Sequence, residues 1–167
     1  YLQEALKKKS ELADLKIEWH FIGAIQSNKT RELAQSFDFV HSVDRIKIAS
    51  RLNEQREGKK KPLNILIQIK DENSKKNGMT LHESYEFIQA VQKFENLKLK
   101  GLMYFPDPGK SDHEYVAAYR QIANLLTLVK NGDTLSMGTS SDYPLAILSG
   151  ATLIRIGTEL FGARNKK

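Results

Sequence analysis

Apolar and polar residues along this chain repeat with two periods in turn. Six short runs, at residues 17–22, 37–43, 63–69, 97–105, 134–137 and 152–156, are apolar or strictly alternating and read as β-strands. The segments between them carry apolar residues every three or four positions, which reads as helix. Residues 2–14 place Leu2, Ala5, Leu6, Leu12 and Ala13 on one face. Ser27 and Asn28 stand where a short helix through Leu33 and Ala34 would begin, with Asn28 as its cap. Asp44 is placed to cap a helix whose buried stripe is Ile46, Ile48, Ala49 and Leu52. Residues 81–94 and 115–129 form two further helices. Trp19 is expected in the core. The run Leu63-Asn64-Ile65-Leu66-Ile67-Gln68-Ile69 is nearly continuous in branched residues, as a strand covered on both faces should be.

Strands that alternate with helices through short connections predict an α/β protein with a parallel sheet. Six such units fit an open doubly wound sheet, or six-eighths of a (β/α)8 barrel, which usually needs about 250 residues. The chain opens on Tyr1 inside a helical pattern with no N-cap before it. That favours the barrel, with its first two βα units lying upstream in a longer protein. The expected organisation is therefore a single domain over residues 1–167, holding six of eight units.

The stretch 134–162 contains two βα turns of one kind. Each apolar run there ends in glycine with hydroxyl residues close behind: Gly138, Thr139, Ser140 and then Gly157, Thr158. Between them Ser140, Ser141 and Asp142 are placed to cap a helix that Pro144 enters in its first turn and Gly150 closes. If the strands are adjacent and parallel, backbone N–H groups at 138–140 and 157–158 converge. Helix starts offer unpaired donors and positive partial charge, which suits a phosphate. Glycine and serine that merely make turns and caps give the alternative reading.

Composition narrows the chemistry. A chain of 167 residues with 40% hydrophobic content buries a sizeable core, and no apolar stretch is long enough to span a bilayer. No cysteine is present, which excludes disulfide scaffolds and thiolate metal sites and is compatible with the cytoplasm. The net charge of +6 is spread over helix faces, apart from the run 59–61. That run reads as a solvated loop, and without interleaved aromatic residues nucleic acid is not the expected partner. Small anions use such an excess equally well.

No catalytic set emerges: there is no paired acid and base, and no His/Asp cluster at metal-ligand spacing. Asp107, Asp112 and His113 fit a Pro/Gly/Asp loop better than a metal site, so no metal is expected. His20 points either into a barrel or into the helix layer, and a satisfied buried histidine is favoured over a ligand contact. Asn28 and Lys29 follow a strand end, where a binding-site mouth would be; solvation is the alternative for Lys29. The polar loop at 71–78 is where sites tend to sit, though Glu72 and Lys75 read by default as a surface ion pair across it.

Six ordered motifs resemble one family. Trp19-His20-Phe21-Ile22-Gly23-Ala24-Ile25-Gln26-Ser27-Asn28-Lys29 is followed by His41-Ser42-Val43-Asp44-Arg45, by Asp71-Glu72-Asn73-Ser74-Lys75-x-x-Gly78, and by Gly101-Leu102-Met103. Leu135-Ser136-Met137-Gly138-Thr139-Ser140 and Arg155-Ile156-Gly157-Thr158-x-x-Phe161-Gly162 complete the series. The chain is similar throughout to the pyridoxal 5′-phosphate homeostasis proteins, whose barrel is that of the alanine racemases, the fold type III of enzymes using this cofactor. The resemblance implies pyridoxal phosphate at the C-terminal mouth of the strands, with the phosphate in the last two βα loops. By position it implies contacts from Thr139, Ser140, Gly157 and Thr158, and Arg155 at the cofactor ring. An arginine there would keep the pyridine nitrogen unprotonated and weaken the ring as an electron sink. Met137, Gly138, His20 and Asn28 are further candidates.

The resemblance also implies a cytoplasmic, non-catalytic protein of vitamin B6 and amino-acid balance, with a racemase-like enzyme as the alternative. It places the family's Schiff-base lysine on the first barrel strand, upstream of Tyr1, so that lysine is absent from this chain. Binding of the cofactor, or of inorganic phosphate or sulfate in its place, is then expected to be weak. Ser141 and Pro144 stand where acidic residues are common, and Lys70 where asparagine is usual. Lys70 ends a strand and is considered as a substitute imine former, although a strand-end lysine usually faces water. Open barrel edges point to a possible homo-oligomer.

Overall fold

The computed structural model describes residues 2–59 and 61–162. Tyr1 and Lys60, on which the readings of the chain start and of the basic run partly rest, lie outside the described residues. In chain order the elements are α1 (Leu2–Glu11), β1 (His20–Phe21), α2 (Thr30–Ser36), β2 (Phe39–Val43), α3 (Ile46–Arg56), β3 (Leu63–Ile69) and α4 (Leu81–Val91). They continue with β4 (Leu97–Tyr104), α5 (Asp112–Leu125), β5 (Thr134–Thr139), α6 (Tyr143–Leu148), β6 (Leu153–Arg155) and α7 (Thr158–Phe161). Short 3-10 turns at Ser27–Lys29 and Leu126–Leu128 precede α2 and extend α5.

All six strands pair in parallel, and their order across the sheet is their order in the chain. A doubly wound sheet reverses direction at a switch point. This one never does, so the winding is that of a barrel.

The strand pattern fixes which side chains meet the helices. Leu63, Ile65, Ile67 and Ile69 of β3 point to one side and join a core with Leu33, Ile48, Leu52, Ile88 and Ile122 from the helices. Burying each such side chain contributes about 1.5–3 kcal/mol. In β4, Leu97 and Leu99 face this core, and then Leu102 and Tyr104 do, out of step by one residue. The slip is visible in the pairing, where Ile65 lies opposite Leu99 but Leu66 opposite Gly101. Gly101 makes it possible: its φ is +154°, and a Cβ there would stand 1.9 Å from the Thr134 carbonyl oxygen. The other face of the sheet buries Phe39, Leu66 and Met103 together with the polar side chains of His41 and Ser136.

Several local expectations are corrected. The first helix ends at Glu11, leaving Leu12 and Ala13 exposed beyond it. β1 shrinks to two residues, because only His20 and Phe21 find partners on β2 and Ile17 and Ile22 face solvent. Ile46 is 49% exposed, so the buried stripe of α3 is Ile48, Ala49 and Leu52 alone. Asp44 does not cap α3; its carboxylate accepts from Arg45 Nε at 2.9 Å. Trp19 is half-buried at the core's edge, under the Lys9 ammonium at 5.4 Å. α4 and α5 each begin in a capping box, Thr80 with Glu83 and Ser111 with Glu114. Among the described residues no helix is long and apolar enough to cross a membrane.

Candidate functional site

The site begins where β5 runs out. Gly138 has φ +87°, and a Cβ there would lie 2.7 Å from Ala146 Cβ and 2.9 Å from Tyr143 Cα. Only glycine lets α6 approach the strand end this closely. The chain then turns through Thr139–Asp142, closed by the Asp142 N–H donating to the Thr139 carbonyl at 3.1 Å. Pro144 sits in the first turn of α6, and Gly150, at φ +100°, follows its end. Asp142 occupies the N-cap position but makes no cap bond. Its carboxylate turns back, accepting from Thr139 N at 2.8 Å and Thr139 Oγ1 at 2.6 Å.

The next βα turn meets this one directly. Ser140 Oγ accepts from Gly157 N at 3.3 Å and from Glu159 N at 3.4 Å. Both turns line an open pocket of about 850 Å³, together with Phe105, Ser141, Arg155, Phe161 and Gly162. The N–H groups of Ser140, Ser141 and Thr158 meet no acceptor among the described residues. Unpaired amides and a serine hydroxyl at one pocket are the donor set that an oxyanion takes up.

Arg155, on β6, supplies the charge. Nη1 donates to Ser136 O at 2.6 Å and Ser136 Oγ at 2.8 Å, and Nη2 donates to Tyr104 O at 3.1 Å. All three acceptors are neutral, and no carboxylate stands within ion-pair distance among the described residues. These bonds use three of the five guanidinium N–H groups, and Arg155 lines the pocket. Burial pulls its pKa below the ordinary arginine value, yet the group stays charged.

Behind Arg155 runs a polar line on the face of the sheet away from the helices. Ser136 Oγ lies 3.1 Å from His41 Nδ1, His41 Nε2 lies 2.8 Å from His20 Nδ1, and His20 Nε2 lies 2.8 Å from Glu18 Oε1. A carboxylate only accepts, so His20 Nε2 carries a proton. Hydrogen bonds thus link Arg155 through Ser136, His41 and His20 to Glu18 without a break. His41 is fully buried, and its pKa falls to about 3 through burial, with His20 and Arg155 adding repulsion. It is therefore a neutral strut that fixes Ser136, which in turn orients Arg155.

The family model described as the alanine racemase N-terminal domain matches residues 1–165. The pyridoxal phosphate homeostasis protein of Pseudomonas aeruginosa is 50% identical over 167 residues, covering 99% of this chain and 73% of that protein. This chain belongs to the pyridoxal phosphate homeostasis protein family. The relative of that name from Escherichia coli K12 is 46% identical over 177 residues, covering 99% of this chain and 74% of its own. Among solved structures, PipY of Synechococcus elongatus with PLP bound superposes with a TM-score of 0.86 at 32% identity, over 97% of this chain and 79% of that one. The chain thus spans about three-quarters of the length of these family members.

Of the residues singled out for this family's cofactor, Thr139, Ser140, Arg155, Gly157 and Thr158 line the one pocket. The other four lie elsewhere. Met137 is fully buried in the helix-facing core. Gly138 serves the close packing of α6. Asn28 is exposed in the 3-10 turn and caps neither that turn, whose N-cap is Gln26, nor α2, whose N-cap is Lys29. His20 lies in the polar line, three side chains away from the pocket, so it contacts other side chains rather than the cavity. Lys70 donates to Ser74 O at 3.3 Å and does not reach the pocket. Glu72 and Lys75 form no pair; the neighbouring Lys76 instead meets Asp107 at 3.2 Å. Among the described residues no three His, Cys, Asp or Glu side chains gather as a metal site. Sequence reading missed His41, Ser136 and Phe105. The first two lie inside quoted motifs, yet their meeting across 95 positions has no local signal.

Proposed function

We propose that this chain holds pyridoxal 5′-phosphate in the pocket at the ends of β5 and β6, as a carrier of the cofactor and not as a catalyst. The observation that carries the reading is Arg155: a half-buried cation with neutral partners only, beside unpaired amides in a shared cavity. The residues present fit the group. A phosphate dianion suits the Ser140 hydroxyl and the free N–H groups of Ser140, Ser141 and Thr158, and a pyridine nitrogen with a bare lone pair suits the free guanidinium N–H groups. PipY, whose structure contains PLP, supports the choice of ligand.

When bound, the cofactor supplies an electrophilic aldehyde on an electron-withdrawing ring. A permanent cation at the ring nitrogen holds that nitrogen unprotonated, which limits how much charge the ring accepts. Among the pocket's described lining residues, Glu159 is the one carboxylate. A weakened electron sink suits a carrier better than a fast carbanion catalyst. Relatives named for homeostasis support the same side.

The reading extends to a cytoplasmic protein whose six units form one domain of an eight-unit barrel. Inorganic phosphate or sulfate would compete for the same donors. Equilibrium dialysis of the full chain against pyridoxal phosphate, with racemase assays on several amino acids alongside, tests the proposal. Saturable binding displaced by phosphate, without turnover, is expected. Turnover at an ordinary enzymatic rate, or no saturable binding, would overturn it.

A further inference from the structure

Asp142 poses a puzzle on electrostatic grounds. A carboxylate one residue from the pocket-lining Ser141, with one oxygen on Thr139, repels any dianion held at Ser140. Its position before α6 suggests a helix cap, but it makes no cap bond. Its bonds run elsewhere: to Thr139 N, to Thr139 Oγ1, to Ser141 Oγ at 3.4 Å, and to the hydroxyl of Tyr119 on α5. Tyr119 is fully buried, its ring 5.8 Å from that of Tyr104 and 6.3 Å from that of Tyr115. It touches no part of the pocket. Its hydroxyl reaches the turn only through Asp142.

We propose that Tyr119 and Asp142 form a brace that shapes the Thr139–Ser141 turn for phosphate, with Tyr119 a positioning residue for that binding. The inference rests on the functional reading above. Thr139 is the pivot. Both its donors, N–H and hydroxyl, point at Asp142, so Thr139 has no hydrogen to offer a phosphate although it lines the pocket. The amides that follow, at Ser140 and Ser141, meet no acceptor among the described residues, and both residues line the cavity. Tyr119 anchors the far side of the carboxylate to the helix layer, so the turn is held by α5 as well as by its own strand. Burial alone would raise the Asp142 pKa, yet the donors from Thr139 and Tyr119 hold it below the ordinary carboxylate value. Its charge is spread over four hydrogen bonds, which lessens the repulsion it presents to an anion.

The brace and a mere negative charge make opposite predictions for one substitution. Asp142→Ala removes a like charge from beside the phosphate together with every acceptor of the brace. If the charge alone mattered, pyridoxal phosphate would bind more tightly. If the brace holds the turn, it binds more weakly despite the lost repulsion. Tyr119→Phe removes a single hydroxyl from outside the pocket and is the companion variant.

The experiment measures binding of pyridoxal phosphate and of pyridoxal, which lacks the phosphate, to the full chain and both variants, with inorganic phosphate as competitor. Each variant should lose about tenfold in affinity for pyridoxal phosphate and for inorganic phosphate, with pyridoxal changed by less than about twofold. Equal losses for both vitamers, no loss, or tighter binding by Asp142→Ala would overturn the brace. Should Tyr119→Phe fail to fold, Asp142→Ala decides by its sign. Binding by the wild type that the variants do not weaken refutes the brace alone. Absence of binding by the wild type refutes the functional reading and the brace with it.

Discussion

Two polar clusters sit at the same end of the sheet, on neighbouring strands, and their charges are disposed differently. At the β3 and β4 ends, Asp71 accepts from Tyr104 Oη at 2.6 Å, from the Asp107 amide at 2.8 Å and from Lys110 Nζ at 3.3 Å. Asp107 meets Lys76 and the Ser74 hydroxyl, and Lys76 also donates to Pro106 O at 2.6 Å. Two carboxylates face two ammonium groups there, and the loops close over them. At the β5 and β6 ends a single guanidinium faces neutral acceptors, and three amides have none. Phe105 stands between the two, with Lys76 4.3 Å from its ring centroid and Arg155 5.7 Å from it. The polar loop at 71–78 is also of the kind where sites tend to sit. Mutual neutralisation makes it a clasp, and incomplete neutralisation leaves the other with a cation and amides to offer an anion, as the proposed function requires.

Removing the unmatched charge should have the largest effect. Arg155→Met leaves the amides in place but deletes the cation, and affinity for pyridoxal phosphate should fall about 100-fold, or about 2.7 kcal/mol, in a direct titration. Acidification acts on the strut behind Arg155. His41 titrates near 6.5 when unfolded and at about 3 when folded. Below pH 6.5 the unfolded chain therefore takes up a proton that the folded one refuses, and stability falls as pH falls. The loss between pH 7 and pH 5 should be about 2 kcal/mol by denaturant melts, and His41→Gln should flatten that slope. Ser140→Ala deletes one hydroxyl of the receptor and should cost about tenfold in affinity at nearly unchanged stability. Lys110→Met opens the clasp, where a partly exposed pair is worth no more than about 1 kcal/mol. Cofactor affinity should then change by less than about twofold. A large loss of affinity in Lys110→Met would erase the distinction between the clusters.

The sequence carried the architecture because period and order are local signals. All six strands lie within the runs that alternation marked, apart from the end of β5, and both glycine–hydroxyl turns are where Gly138 and Gly157 announced them. The capping boxes were legible as well: Thr80 and Ser111 each precede a glutamate by three residues, and placing the start of α5 at Tyr115 overlooked the second. What stayed hidden is the relation between distant positions. An aspartate before a helix reads as a cap, and nothing near Asp142 tells that Tyr119, 23 positions earlier, claims its carboxylate. His20 and His41 stand 21 positions apart, and only parallel pairing of β1 with β2 brings their rings within 2.8 Å. Ile46 fits the helical period yet is exposed, because periodicity gives a face and not its limits.

The most direct test is a crystal structure of the full chain with pyridoxal 5′-phosphate. The account predicts the phosphate within hydrogen-bond distance of the Ser140 hydroxyl and of the amides of Ser140, Ser141 and Thr158, with the pyridine nitrogen at Arg155. A phosphate seated instead at Lys76 and Lys110, with the β5 and β6 turns empty, would contradict it.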